Sequence, residues 1–150
     1  MKEERYSEEL KALLEAAQQQ AIMNYNQEMS TVHLLASLCG QDGFFKFLLQ
    51  NLEIDDKAFS QEVSELLRKI PQVKGQDALR MSTGLARVFA LVEKEAAEGE
   101  VNLAHLIGAI AEDGDSEAVA LCRKYGIDKK KVKALYMQYA SGKGDEEICR

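Results

Sequence analysis

The 150-residue sequence has no tryptophan, one proline, two histidines and three cysteines. It has no run of about 18 apolar residues, so no segment reads as a membrane-spanning helix. The charged start, Met1-Lys2-Glu3-Glu4-Arg5-Tyr6, is not followed by an apolar signal segment. A net charge of −6 argues against a nucleic-acid binder, whose affinity rests on neutralising phosphates. Three cysteines are an odd count without metal-ligand spacing, which fits a reducing, cytoplasmic setting better than a disulfide framework. A phosphate loop of the form Gly-x-x-x-x-Gly-Lys-[Ser/Thr] is also missing. Gly142-Lys143-Gly144 lacks both the upstream glycine and the hydroxyl after the lysine.

What remains is rich in Ala, Leu, Glu and Lys, a composition that favours helix. An apolar fraction of 46% supports an ordinary core, and the length suits one domain or two very small ones. One stretch occurs twice. Residues 29–43 and 101–114 each place a histidine in a helix-start pattern, and His33 and His105 are 72 positions apart. Ser30 and Asn102 are N-cap residue types. Met29 with Leu34, and Val101 with Leu106, have the spacing of a hydrophobic staple. Both stretches run out at Asp-Gly, a stop and turn signal.

Around these stretches the periodicity predicts six more helices. Ser7 caps a first helix running to about Tyr25, with the stripe Leu10, Leu13, Leu14, Ala17 and Ala21. The first repeated stretch is a helix over about 30–41. Phe44, Phe45, Leu48 and Leu49 mark a short apolar third helix, and Asp55 caps a fourth. Pro71 ends that helix, because the residue before a proline is pushed out of the helical region. Ser82 caps a fifth helix with the stripe Leu85, Val88, Phe89 and Val92. The second repeated stretch, about 102–112, is followed by a helix with Leu121 and Cys122 and a last helix capped by Asp128. Leu52-Glu53-Ile54-Asp55 answers Tyr125-Gly126-Ile127-Asp128 at an offset of 73. The expected fold is therefore all-α, an eight-helix pseudo-twofold domain made of two four-helix repeats. Repeat one covers about 5–69, a linker 70–81 and repeat two about 82–141. Residues 142–150 read as a disordered tail or the start of an interdomain linker. Each half is too small to bury much surface alone, so the halves are expected to share one core.

The doubled unit with its His-Leu-Leu helix, and Arg68-Lys69-Ile70-Pro71-Gln72-Val73-Lys74-Gly75 between the copies, resembles the N-terminal domain of the Clp ATPase chaperones. The linker, followed by Ser82-x-x-Leu85-x-Arg87-Val88, is more similar to the ClpB disaggregase branch than to ClpA or ClpC. The resemblance covers about residues 5–141. It implies a non-catalytic domain, mobile on a linker before ATPase modules, that binds exposed apolar segments of unfolded or aggregated polypeptides for a hexameric motor. ATP and magnesium would belong to modules outside this sequence; no cofactor or metal is expected in the chain itself. The rival reading is an adaptor-docking domain, as in ClpA- or ClpC-like unfoldases, with an adaptor protein as the partner. Neither nucleic acid nor membrane is an expected partner, and an isolated domain is expected to be a monomer.

The resemblance also implies site residues. The family's substrate groove between the fifth and sixth helices corresponds to Phe89, Leu91 and His105. Leu91 stands out on periodicity too. It lies about 240° from Leu85 at about 100° per residue, off a stripe clustered within about 60°. It is then an exposed binding surface, a scattered surface leucine, or a contact with the other half. Ser7 matches a threonine of functional standing in the family, against a plain capping role. Glu98 falls near a family acidic residue, against a solvated surface charge. Val32 and Ala104 stand where the family commonly has a glutamate before the histidine, which speaks against phosphoarginine recognition.

Other features read as structure. His33 and His105 sit at N3, where a positive charge opposes the helix dipole, so each is expected to be neutral and hydrogen-bonded. The lysines of 129–133 read as a solvated helix face after the Asp128 cap. Asp113-Gly114-Asp115 resembles the opening of a calcium loop but lacks the later ligands, and reads as a turn.

Overall fold

The computed structural model describes residues 3–74, 78–96 and 99–149. A 3₁₀ turn, Glu3–Arg5, precedes eight helices: α1 Glu8–Met23, α2 Thr31–Cys39, α3 Phe44–Asn51, α4 Asp56–Arg68, α5 Thr83–Ala96, α6 Leu103–Asp113, α7 Ser116–Lys124 and α8 Lys129–Cys149. The predicted starts hold because each is chemically specified. Ser7 Oγ accepts from Leu10 N, Ser82 Oγ from Leu85 N, Asp55 Oδ1 from Lys57 N, and Asp128 Oδ1 from Lys131 N. Each bond satisfies an orphan donor of a first turn. The helix ends hold as well: α4 stops at Arg68, ahead of Pro71. The last helix, α8, is assigned from Lys129 to Cys149, into the segment 142–150 that the sequence reads as a tail or linker start. Residues 142–149 contain two glycines but no proline; each glycine weakens a helix by only about 1 kcal/mol, which need not end it.

Periodicity could not reveal the two short strands, β1 Glu28–Met29 and β2 Arg80–Met81. They pair in parallel, with Met29 opposite Met81. The two halves are laced together reciprocally at this level. Ser82 N donates to Met29 O at 2.9 Å, and Ser7 N donates to Val101 O at 2.8 Å. The cap serine that opens each half thus bonds the staple residue of the other half. Residues 70–74 are tied down rather than free: Val73 N donates to Tyr25 O, and Asn26 Nδ2 donates to Pro71 O.

The core is shared by both halves. Leu34, Leu35 and Leu38 of α2 and Leu106, Ile107 and Ile110 of α6 are fully buried in one cluster. Phe44 of α3 meets Tyr136 of α8 edge-on at 5.0 Å, and Phe59 of α4 meets Tyr125 at 5.2 Å. Such pairs add about 0.5–1.5 kcal/mol beyond area burial. The Tyr125 hydroxyl donates to Glu62, which raises the phenol to about 12, and Lys124 bonds the same carboxylate at 2.6 Å.

Candidate functional site

Two clefts contain predicted site residues. The larger, about 550 Å³, lies between α1 and the strand pair. Leu14, Met29, Met81 and Phe89 give it an apolar lining, and Glu8, Lys11 and Glu15 of α1 line it with charge. Phe89 is buried at its back, Leu14 and Met29 are half-buried, and Met81 is 41% exposed. Lys11 pairs with Glu8 at 3.4 Å on an exposed face, where such pairs contribute little to stability. Tyr6 also lines this cleft, and α1 begins beside it because Ser7 caps the helix.

The second cleft, about 400 Å³, lies between α6 and α8 and is lined by His105, Gly108, Lys129, Lys133, Tyr136 and Met137. Lys129 is engaged by Glu95 and by Glu112, the latter at 3.4 Å. Lys131 pairs with Asp128 at 3.8 Å. Two lysines of the run, Lys129 and Lys131, are thus joined to neighbouring carboxylates.

The structure does not gather the predicted residues into one groove. Phe89 and His105 open onto different clefts. Leu91 is half-buried and packs against the core cluster. It lies only about 60° beyond Val88 around α5, at the edge of an apolar stripe that is commonly 100° wide or more. Ser7 makes the predicted cap. Glu98 lies outside the described residues. The staple position of Met29 is visible in the sequence, but its pairing with Met81 at the end of the linker is not.

Both histidines take capping roles at helix starts. His33 is fully buried. Its Nδ1 accepts from Ser30 N at 2.9 Å, so Nε2 carries the proton and donates to Asn26 Oδ1 at 2.8 Å. Burial lowers its pKa, against a smaller opposing effect of Asp115. His105 Nδ1 accepts from Asn102 N at 3.1 Å in the same way. Its pKa is also lowered, by burial first and then by Lys133 and Arg5. Each histidine stands in for the Glu or Gln of a capping box. Among the described residues there is no cluster of three or more His, Cys, Asp or Glu able to hold a metal. Burial raises the Cys39 thiol and pushes Cys122 up to about 12, so neither is an activated nucleophile.

A family profile described as the Clp repeat (R) N-terminal domain matches residues 5–125. The chain belongs to this family. The Clp N-domain assignment agrees with relatives of known name. The chain is 28% identical over 149 residues to "Chaperone protein ClpB" of Rhodopseudomonas palustris, covering 95% of this chain and 17% of that protein. The Hsp104 N-terminal domain from Candida albicans superposes with a TM-score of 0.74 at 19% identity, covering 87% of each chain. The N-terminal domain of ClpV1 from E. coli gives 0.73 at 17% identity, covering 92% of this chain and 87% of that one. These likenesses establish the all-α Clp N-domain fold, with ClpB-like sequence. Within that fold, the described part of this Clp N-domain has no helix long and apolar enough to cross a membrane.

Proposed function

We propose that this chain is the non-catalytic, polypeptide-binding N-terminal domain of a ClpB-like disaggregase. It captures exposed apolar segments of unfolded or aggregated proteins for a hexameric, cytoplasmic ATPase. ATP and magnesium are used by that motor's modules and not by this domain. The observation that carries the reading is the cleft between α1 and the strand pair, with its lining of Leu14, Met29, Met81 and Phe89. An open cleft with an apolar patch beside the charged α1 edge suits weak, sequence-tolerant capture. Linkage to a hexamer would raise the effect of several weak sites through effective concentration. Leu91 and His105 are proposed as secondary contacts along α5 and α6, and Ser7 as the residue that fixes the α1 edge of the cleft.

A second reading has one observation in its favour. The Lys11–Glu8 pair on the α1 side of the cleft is the kind of charged rim that a folded adaptor would engage. An ¹⁵N NMR titration with a permanently unfolded, apolar-rich polypeptide separates the two. Shifts at Leu14, Met29, Met81 and Phe89 support capture. No shifts at millimolar polypeptide overturn it and move the assignment to adaptor docking.

A further inference from the structure

The cleft has a lining that the two halves build together. Met29 comes from the first half and Met81 from the end of the linker that leads into the second, and they are direct partners in a parallel strand pair. Residues opposed in this way lie on one face of the pair, on strands about 4.8 Å apart. Both line the cleft beside Leu14 and Phe89. The sequence has five methionines. Of the others, Met23 is 74% exposed at the end of α1, Met137 is 68% exposed at the second cleft, and Met1 lies outside the described residues.

Resting on the capture reading above, we propose that Met29 and Met81 form the thioether floor against which captured apolar side chains pack, and that peroxide oxidation of these two sulfurs switches capture off. Methionine is unbranched and polarizable, so a floor of two thioethers can adapt to side chains of different shape. That adaptability matches sequence-tolerant binding. Met81, 41% exposed, is open to a dissolved oxidant. The sulfur lone pair attacks one oxygen of hydrogen peroxide. An S–O bond forms as the O–O bond breaks, sulfur loses two electrons, and the departing hydroxide takes the remaining proton and leaves as water. The product sulfoxide is polar, and an apolar ligand side chain offers it no hydrogen bond, so closing the interface over it is unfavourable. The change is reversible by methionine sulfoxide reductases.

The test uses the 150-residue chain and a short, methionine-free, fluorescein-labelled peptide rich in Leu and Phe. Anisotropy gives Kd before and after hydrogen peroxide treatment and its removal by catalase. Peptide mapping by mass spectrometry gives the oxidation at each methionine. The expected result is a roughly tenfold or greater rise in Kd that tracks oxidation of Met29 and Met81, with the helical circular dichroism signal retained. Met23→Leu/Met137→Leu should keep that sensitivity. In Met29→Leu/Met81→Leu the ratio of treated to untreated Kd should fall to about one, whatever its starting affinity. Three outcomes overturn the proposal: unchanged binding after both sulfurs are oxidised, loss that tracks Met23 or Met137, or loss that accompanies unfolding. If the untreated chain binds no peptide, the capture reading fails with it.

Discussion

Asp115 and Thr31 clasp the two halves through three hydrogen bonds, although 84 residues separate them. Thr31 N and Thr31 Oγ1 each donate to Asp115 Oδ2 at 2.9 Å, and Asp115 N donates back to Thr31 Oγ1 at 3.0 Å. Ser82 Oγ donates to the same carboxylate oxygen at 2.8 Å. One side chain therefore joins the starts of α2, α5 and α7. It does so beside the strand pair, since Thr31 follows β1 by two residues and Ser82 follows β2 directly. The clasp fixes the segments that carry Met29 and Met81.

Removing the clasp should be costly. Hydrogen bonds to a charged acceptor are worth about 1.5–3 kcal/mol, so Asp115→Ala should lower stability by about 2–4 kcal/mol. Urea unfolding measures this. A double-mutant cycle with Thr31→Val should give a coupling energy of about 1 kcal/mol or more, against near zero for independent sites.

Gly84 allows that approach. A Cβ there would stand 2.4 Å from Asp115 N and 2.5 Å from its Oδ1. In an open helix, Gly→Ala would gain about 1 kcal/mol. Here the clash lies against backbone as well as side chain, and overpacking of this kind costs about 1–3 kcal/mol or more. Gly84→Ala should therefore destabilise, with a lower urea midpoint despite its better helix propensity.

The capping histidine of α2 gives a pH dependence of known sign. The folded-state pKa of His33 is lowered from 6.5, so at acid pH the unfolded chain binds more protons than the folded one. Its contribution is fully present above about pH 6.5 and is lost as pH falls through the folded-state value. The urea midpoint should drop between pH 7 and pH 5. The ring-nitrogen chemical shifts of His33 should report a neutral Nε2–H tautomer at pH 6.5; a charged ring there would contradict the hydrogen-bond assignment.

The third and seventh helices end alike but with different residues. Ile54 N returns to Leu49 O, and Ile127 N returns to Cys122 O, both at 2.9 Å. The intervening residue is left-handed in each: Glu53 at φ 57° and Gly126 at φ 76°. Left-handed backbone costs a non-glycine residue about 1–2 kcal/mol. Gly126→Ala should then destabilise by about 1 kcal/mol, while Glu53→Gly should be neutral or mildly stabilising. Thermal melts of the two variants should shift in different directions or by clearly different amounts.

The helices were legible because their signals are local. Ser7, Asp55 and Asp128 sit next to the turns they cap, and the stripes of α1 and α5 repeat within one helix. The site was less legible because its parts are assembled across the halves. A two-residue strand has no period to detect, so the pairing of Met29 with Met81 left no trace in the sequence. Asp113-Gly114-Asp115 reads as a turn, whereas Asp113 ends α6 and Asp115 takes the N-cap position of α7, and two partners of Asp115, Thr31 and Ser82, lie 84 and 33 residues away. The angle that sets Leu91 off the stripe leaves its burial open, because it carries no information on how wide an apolar face becomes when a helix packs along its flank.

The central claim is that apolar segments bind in the cleft between α1 and the strand pair. It is tested most directly with the chain labelled at its methionine methyl carbons. Met29 and Met81 then report from the cleft, while Met23 at the end of α1 serves as a control in the same molecule. On titration with an unlabelled Leu- and Phe-rich peptide, the Met29 and Met81 methyl signals should shift and show intermolecular NOEs to peptide side chains, with Met23 unmoved. NOEs confined to Met137 or Met23, or none at millimolar peptide, would contradict the account.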